Sequence, residues 1–449
     1  MACVFSTPVT IVKDKRNLMA RGTRWLSFQL RRRANKFLRR PLLAVAFCYA
    51  RWVARQARAD KGGRSALVLT TADPGNLGDE AVFWATARVL KQEQFQRVSI
   101  VSFAPDKLWN VPGADTVMLP IHHNPTGLDF IEFVRVARGF SHFYIWGADI
   151  VDGSHGVFVA RGRLRLANLG AAAGLRTTIC SFSVCESPAP EIMREFQRLD
   201  SRVALYCRDA VSYERLAKWI GNRAKLSADI AFLLEADSEA PLVQKARAFV
   251  QQARKDGKLV VGINLNDMFC VAFGSFPPRE LVEHYVHVCL KLRSFYPNLA
   301  IVLLPHGTYA DQQRYAITDF SLAELFLKRW PGTSNDIFLP PVGMRAVEVR
   351  AICGLVDFVF SGRMHLSIAC LTQGTPVFGL TYQGKFEGLF RHFGLDEMFI
   401  APDQLPNADA VADFLRKGIE RLPALRVRIQ DQLPKVKALA RENLNLQAP

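Results

Sequence analysis

The chain contains 449 residues, too many for one ordinary domain and enough for two or three domains of about 150 residues. Hydrophobic residues make up 49% and charged residues 22%, which excludes a disordered or collagen-like protein. The nine cysteines are scattered without a Cys-x-x-Cys pair, which argues against a disulfide framework and against a structural zinc site. Because the first 20 residues also lack the apolar core of a secretory signal, we expect a cytoplasmic protein.

Most of the formal charge of +17 belongs to the N-terminal arm, residues 1–64, which contains 16 Lys and Arg against two acidic residues. The remaining chain is nearly neutral, with 42 basic and 39 acidic residues. Between residues 21 and 60, arginines alternate with aromatic and aliphatic residues, which is typical of an amphipathic helix on an anionic membrane surface. A solvated arm or a helix packed on the body fits the same pattern. Nucleic acid is not an expected partner, because no known binding module accompanies the arm.

From residue 65 onward, short apolar runs alternate with helical patterns. Strands are predicted at residues 66–70, 98–103, 116–119, 142–146, 177–182 and 203–207, and helices at 80–91 and 130–138. The pattern restarts after Pro241, with strands at 259–264, 300–305, 358–361 and 375–381 and a helix at 279–295. This alternation predicts an α/β protein with two doubly wound, mostly parallel sheets, in domains 65–238 and 239–449. Ligands are then expected in the crevice between the domains, beyond the carboxyl ends of strands.

The first candidate motif, residues 75–80 (Gly-Asn-Leu-Gly-Asp-Glu), joins the end of a strand to the start of a helix. Its glycines let a ligand approach the backbone, and free N–H groups at the helix start attract an anion. We therefore predict that Gly75, Asn76 and Gly78 contribute to substrate binding. A turn without a ligand is the alternative, because the two acidic residues favour the positive end of the helix dipole.

The second candidate motif contains Arg208, at the end of another strand. Its guanidinium could form a two-pronged contact with a carboxylate or phosphate, or could pair internally with Asp209 or Glu214. Two weaker candidates also follow strands. His306 could face the crevice or the surface, and residues 147–155 resemble a polar loop more than a metal site.

The third motif is the densest, with Phe-Ser-Gly-Arg-Met-His at residues 360–365 followed by a helical pattern. Arg363 and His365 are expected around the N-terminus of that helix, where an anion would meet a guanidinium, an imidazole and backbone N–H groups together. Lys385 follows the next strand and is expected at the same edge of the sheet. The convergence of three cationic residue types favours a functional site over a structural one.

In their order and spacing these segments resemble the polysaccharide pyruvyl transferase family. The similar segments are residues 75–80, 208–212, 228–232 and 361–365, followed by Lys385. The resemblance implies two Rossmann-like domains arranged as in GT-B glycosyltransferases, and transfer of pyruvate from phosphoenolpyruvate onto a sugar as a ketal. Phosphoenolpyruvate then enters as a substrate, and neither a cofactor nor a metal is expected.

The same resemblance implies that Arg208, His365 and Lys385 serve the donor, with Arg363 as a further anion ligand. Arg208, Arg363 and Lys385 would neutralise the carboxylate and phosphate of the donor and assist the leaving phosphate. His365 is the expected general acid, since histidine exchanges protons near neutral pH. Asp79 is the expected base for the acceptor hydroxyl.

The expected acceptor is a sugar or lipid-linked saccharide, a precursor of a bacterial surface polysaccharide or exopolysaccharide. An arm on the inner face of the membrane would bring the protein to such an acceptor. Two alternatives remain open. One is a GT-B glycosyltransferase that uses a nucleotide sugar, with Glu387 as a candidate ligand. The other is a non-catalytic membrane- or nucleic-acid-binding protein led by its basic arm.

Overall fold

The computed structural model describes residues 41–56, 63–104, 107–119, 121, 125, 127–271, 277–307, 317–380, 385–400 and 403–446. Two β-sheets, one in each half of the chain, are flanked by helices. Their central strands are apolar along almost their whole length, and all five residues of Leu299–Leu303 are buried. Continuous apolar strands are typical of parallel sheets that helices cover on both faces.

The first sheet has seven parallel strands in the order β3-β2-β1-β4-β5-β6-β7. Its strands are β1 (Ser65–Leu69), β2 (Arg97–Ser102), β3 (Asp115–Met118), β4 (His142–Ala148), β5 (Arg176–Phe182), β6 (Ala204–Cys207) and β7 (Ala224–Leu226). Its helices are α1 (41–56), α2 (Leu77–Gln92), α3 (Gly127–Ala137), α4 (Val157–Ala172), α5 (Pro190–Gln197) and α6 (Ala210–Ile220).

The second sheet has six parallel strands in the order β10-β9-β8-β11-β12-β13. Its strands are β8 (Leu259–Asn264), β9 (Leu299–Leu303), β10 (Ile337–Phe338), β11 (Phe358–Ser361), β12 (Val377–Leu380) and β13 (Phe399–Ile400). The helices of this half are α7 (Pro241–Lys255), α8 (Met268–Val271), α9 (Pro278–Phe295), α10 (Asp319–Arg329), α11 (Ala346–Cys353), α12 (Met364–Thr372), α13 (Lys385–Arg391), α14 (Ala408–Ile419) and α15 (Leu422–Glu442).

The predicted α/β class with two doubly wound sheets is confirmed, and each predicted strand lies within two residues of its observed bounds. Three short strands, β7, β10 and β13, were missed because two or three residues carry no readable periodicity. In each sheet the strand order reverses beside the first strand, between β1 and β4 and between β8 and β11. Ligands of such sheets bind at the carboxyl ends of the strands beside this reversal.

Part of the predicted basic arm is a helix packed on the body. Helix α1 buries Ala46, Ala50 and Val53 in the core of the first domain. Its first turn packs against Gly127, at the start of α3, and its last turn against Gly174, just after α4. Residues 1–40 and 57–62 lie outside the described residues. No described helix is long and apolar enough to cross a membrane.

The two halves of the chain are joined by polar contacts on both sides of the crevice. The Leu77 amide donates to the His306 carbonyl at 3.1 Å, and the Ala346 amide donates to Glu80 at 2.8 Å. After α15 the chain returns to the first sheet, where Asn443 accepts from the Ser181 amide at 2.7 Å. The start of α2 is thereby fixed against the second domain.

Candidate active site

A cavity of about 350 Å³ lies between the two domains, at the carboxyl ends of the strands. This volume is at the lower end of the range of about 300–1,000 Å³ for small-ligand sites. The first domain contributes Thr71, Ala72, Asn76, Asp79, Ala148, Asp149, Ile150, His155, Val159 and Arg208, and the second contributes Met268, His306, Arg363, Met364 and His365. Of the predicted site residues, Asn76, Asp79, Arg208, Arg363 and His365 therefore surround a single cavity.

His365 lies in the first turn of α12, immediately after β11, and faces the first domain. Its Nε2 lies 3.6 Å from Asp229 Oδ2, which is the distance of an ion pair rather than of a hydrogen bond. Burial would raise the pKa of Asp229, but His365 and Arg208 outweigh burial and lower it to about 2. Asp229 is thus a fixed negative charge beside the imidazole.

The other side of His365 packs directly on helix α2. A Cβ atom built on Gly78 would lie 2.4 Å from His365 Nδ1, closer than any side chain tolerates. Glycine at this position therefore lets the helix of one domain touch the imidazole of the other. Gly78 thus serves close packing on a side chain, and its predicted part in substrate binding stays a prediction.

Asp79 follows Gly78 and lines the same cavity. Its Oδ1 accepts a hydrogen bond of 2.6 Å from the Thr71 hydroxyl. Burial raises the pKa of Asp79, against the opposing effects of His365 and Thr71. A carboxylate whose pKa is raised in this way is a stronger base than an ordinary aspartate.

A buried arginine outside the predicted motifs holds the loop before Asp79. Arg163, in α4, donates hydrogen bonds of 2.8 Å and 2.9 Å to the carbonyl groups of Thr70 and Thr71. Burial lowers its pKa to about 10, so the guanidinium remains charged at neutral pH. Because it lies in an ordinary helical pattern, no local motif marks its role.

Arg208 is held by groups other than the predicted internal partners. Its Nε donates to Ser183 Oγ at 2.7 Å, and its Nη1 lies 3.3 Å from Asp229 Oδ2. The neighbouring Asp209 instead caps α6 by accepting from the Ser212 amide at 2.7 Å. Asp229 therefore joins Arg208 and His365 through one carboxylate.

Arg363, which was predicted as an anion ligand, pairs with two carboxylates of the second domain. It donates to Asp319 from Nε at 3.1 Å and from Nη2 at 2.7 Å, and to Asp267 from Nη2 at 2.5 Å. Asp319 is fully buried and Asp267 nearly so. Asp267 follows β8 and Asp319 is the first residue of α10, both distant from Arg363 in sequence, so the motif around Arg363 could not show them.

The start of α2, where an anion site was predicted, has some of its backbone N–H groups already bonded within the protein. The Leu77 amide donates to His306, and the Gly78 amide donates to Asn76 Oδ1 at 2.8 Å. Two of the N–H groups that an anion would need are therefore already bonded within the protein. Gly75 adopts a φ of 128°, which only glycine takes readily, and so serves the turn itself.

At the start of α12 the situation differs, because no described side chain caps that helix. Lys385 begins α13, but its side chain and residues 381–384 lie outside the described residues. Its predicted approach to the cavity thus stays a prediction.

Two further histidines line the cavity. His155 lies 3.2 Å from Asp149 in an ion-pair contact on the wall of the first domain. His306, in contrast, is buried on the wall of the second domain. Burial, together with the nearby His365 and Arg363, lowers the pKa of His306 to about 3. Among the described residues there is no group of three or more His, Cys, Asp or Glu able to hold a metal ion.

Two doubly wound domains with a site in the crevice between them define a GT-B-like architecture, and similar solved structures share it. Trehalose-phosphate synthase (UDP-forming) from Burkholderia xenovorans matches with a TM-score of 0.51 at 14% identity, over 86% of this chain and 100% of that one. UDP-GlcNAc 2-epimerase from Neisseria meningitidis matches with 0.51 at 10%, over 85% and 99%. MnaA of S. aureus bound to UDP matches with 0.53 at 11%, over 85% and 97%. At such low identity these matches show the fold alone.

The sequence itself identifies the family. A family model described as polysaccharide pyruvyl transferase matches residues 76–384, which include every predicted site residue except Gly75 and Lys385. The chain belongs to the polysaccharide pyruvyl transferase family and is an enzyme of this kind. A search of curated protein sequences gives no match.

Proposed function

We propose that this enzyme transfers pyruvate from phosphoenolpyruvate to two hydroxyl groups of one sugar, forming a ketal and releasing phosphate. The observation that carries the proposal is the meeting of His365, Asp79 and Arg208 at one cavity between the domains of a pyruvyl transferase family member. The cavity combines an imidazole, a carboxyl group and a guanidinium, the groups that such a transfer needs.

The chemistry assigns one proton transfer to each side of the cavity. His365 donates a proton to the methylene carbon of the donor while a sugar hydroxyl attacks the adjacent carbon. Asp79 takes the proton of that hydroxyl. The bond from this carbon to the phosphate oxygen then breaks, and a second hydroxyl closes the ketal. The two sugar hydroxyls lose two protons in all. One balances the proton that His365 gave to the methylene carbon, and the other leaves with phosphate.

The donor carries two anionic groups, which the proposal places near the start of α12. This helix end has no side-chain cap among the described residues, and Arg208 lies on the facing wall of the cavity. A helix N-terminus attracts an anion through its free N–H groups and its dipole. Lys385 is proposed as a further donor ligand, as the family resemblance implies. Arg363 is proposed to contribute an ordered guanidinium to the cavity rather than an unpaired positive charge, because Asp319 and Asp267 already neutralise its charge.

The test is to incubate the enzyme with phosphoenolpyruvate and candidate saccharides, including lipid-linked ones. The expected result is an acceptor whose mass rises by one pyruvyl ketal, with release of one phosphate per ketal. Phosphate release without a ketal, or a ketal formed equally well by heat-denatured enzyme, would contradict the proposal.

A nucleotide-sugar glycosyltransferase is the second candidate, because two of the similar structures are described with UDP or UDP-GlcNAc bound. Thermal unfolding with each ligand separates the two. We expect phosphoenolpyruvate to raise the midpoint of unfolding and UDP-sugars to leave it unchanged. Stabilisation by UDP-sugars alone would favour glycosyl transfer.

Association with the inner face of the membrane is a separate proposal. The outward face of α1 exposes Val45 and Trp52 beside Arg51 and Arg55. A groove of about 510 Å³ between α1 and the body adds Arg198 and Arg202, with Asp200 and Phe47 among its other lining residues. Basic residues next to exposed apolar ones favour binding to anionic lipid.

The membrane proposal is tested by sedimentation with phosphatidylglycerol vesicles. The Arg51→Gln, Trp52→Ser, Arg55→Gln variant should pellet less than the wild type. A control that removes two arginines elsewhere, the half-buried Arg416→Gln with the exposed Arg428→Gln, should pellet normally. Equal loss in both variants would show a general charge effect and no docking face.

A further inference from the structure

His306 is a buried side chain that the reaction described above does not use. It follows β9 and is only 4% exposed, on the cavity wall of the second domain. Neither of its ring nitrogens has a hydrogen-bond partner among the described residues. A buried polar group without a partner costs about 1–3 kcal/mol, so an arrangement that leaves both nitrogens unpaired requires a reason.

The backbone of His306 is fixed on both sides, so the ring does not face the cavity by chance. The His306 amide donates to Asp319 Oδ2 at 3.1 Å, and its carbonyl accepts from the Leu77 amide at 3.1 Å. The first contact ties it to the carboxylate that holds Arg363, and the second to the first turn of α2. The residue is thus fixed on the cavity wall where the two domains meet.

The surroundings of His306 keep its imidazole neutral. The charged groups that act on it are His365, Arg363 and Arg350, which oppose a positive charge, and Asp319, which favours one. Burial contributes most, and together these groups lower the pKa of His306 to about 3. A neutral imidazole offers one N–H donor and one acceptor nitrogen, without adding a positive charge.

We propose that His306 is a donor-binding residue whose ring N–H forms a hydrogen bond with an anionic oxygen of phosphoenolpyruvate. This inference rests on the proposed function. The two cavity-lining histidines of the second domain then have different tasks: His365 moves the proton, and His306 holds the donor in position. A bound anionic oxygen also supplies the partner that the buried ring lacks.

Three variants separate a hydrogen bond from a purely structural role. His306→Phe keeps an aromatic ring and removes the donor, His306→Asn can present an N–H near the position of Nδ1, and His306→Gln near that of Nε2. A hydrogen bond to a charged group contributes about 1.5–3 kcal/mol, so the Phe variant should bind phosphoenolpyruvate about ten to a hundred times more weakly. One of the two amide variants should recover much of this affinity. His287→Asn, an exposed histidine on α9, is the matched control and should bind normally.

Calorimetry gives the Kd for phosphoenolpyruvate, and NMR of the full chain with ¹⁵N-labelled histidine follows the ring itself. We expect the His306 resonance, assigned by its loss in the Gln variant, to remain that of a neutral imidazole from pH 5 to 8. It should shift when phosphoenolpyruvate is added. Unchanged affinity in the Phe variant, or an equal loss in all three variants, would overturn the inference.

Failure of the inference is distinguishable from failure of the proposed function. If the wild type forms a ketal while the His306 resonance does not shift on addition of phosphoenolpyruvate, only the proposed role of His306 is wrong. If no acceptor yields a ketal and phosphoenolpyruvate does not bind, the proposed function fails, and the role of His306 fails with it.

Discussion

The turn after β1 and the turn after β11 look alike in sequence and are used differently. Each joins a strand to a helix, and each contains glycine followed by an ionisable residue. At the start of α2, two amides are already bonded, to His306 and to Asn76. At the start of α12, no described side chain caps the helix, and His365 faces the cavity. A glycine-rich turn therefore indicates an anion site only when its amides remain available.

The two turns also depend on each other. The glycine of the first turn, Gly78, leaves the space that the imidazole of the second turn fills. Asp79 then faces the cavity from one domain and His365 from the other. The first turn thus helps to position the imidazole of the second, and each domain supplies one of the two proposed proton-transfer groups.

Replacing His365 by Asn removes the proposed general acid from the second turn. Turnover should fall about 10²- to 10⁴-fold, which is the usual contribution of a positioned acid or base. The binding of phosphoenolpyruvate should persist, because Arg208 and the start of α12 are unchanged. The measurement is phosphate release under saturating donor, with calorimetry for donor binding. Wild-type turnover in this variant would remove His365 from catalysis.

Replacing Asp319 by Asn breaks the buried ion pairs that hold Arg363. Removing one partner of a buried ion pair costs about 3–5 kcal/mol, and because Asp267 still pairs with Arg363, the free energy of unfolding should drop by at most that amount. Urea unfolding measures it. Glu214→Gln, which breaks an exposed pair with Arg391, is the control and should cost at most about 1 kcal/mol. Equal effects of the two substitutions would contradict the buried network.

The same pair makes a prediction for pH. Burial would raise the pKa of Asp319, but Arg363 and the surrounding hydrogen-bond donors lower it below its ordinary value. A lowered pKa means that the stabilisation is present above the unfolded value of about 3.9 and is lost as pH falls toward the folded value. The difference in unfolding free energy between wild type and Asp319→Asn should therefore shrink below pH 4. The comparison is made there because the neighbouring Asp267, whose pKa burial raises to about 6, titrates at higher pH. A difference that instead grows as the pH falls below 4 would show that the Asp319 carboxyl is protonated in the folded enzyme.

Replacing Gly78 by Ala tests the contact between the two turns. Alanine is the better helix former, yet its Cβ would lie 2.4 Å from His365 Nδ1. We expect a loss of about 1–3 kcal/mol in unfolding free energy from overpacking, and reduced turnover because the imidazole is displaced. Gly139→Ala, whose Cβ would meet only a carbonyl oxygen at 3.6 Å, is the control. A variant as active and stable as wild type would show that the turns do not touch.

Sequence reasoning recovered the fold well, because alternating apolar strands and amphipathic helices leave a local periodic signal. It also selected His365, Asp79 and Arg208, because each follows a strand end, where such folds bind ligands. It could not pair Asp229 with Arg208 and His365, or Asp319 with Arg363, because these pairings join distant segments. Nor could it find Arg163, whose task is to bind two carbonyl groups and which no motif marks.

The sequence could not show which backbone amides at the start of a helix remain free to bind a ligand. Asn76 reads equally well as a ligand residue and as a helix cap, and only the position of its side chain decides. Its Oδ1 accepts from the Gly78 amide, so it is the cap. The carbonyl of His306, which takes the Leu77 amide, comes from the other domain and has no trace in the local sequence.

The smallest effect is expected from Asn76→Ala, which isolates the first turn. Loss of an N-cap costs about 0.5–2 kcal/mol, and Asn407→Ala, an exposed cap on α14, should lose a similar amount of unfolding free energy in urea. The informative quantity is the Kd for phosphoenolpyruvate, measured by calorimetry in both variants. Removing Asn76 releases the Gly78 amide, so a donor bound at this turn would bind more tightly to Asn76→Ala. A donor bound at the start of α12 would not respond, and we expect the Kd to equal that of Asn407→Ala. Tighter binding of phosphoenolpyruvate to Asn76→Ala would instead support the anion site that the sequence predicted at the first turn.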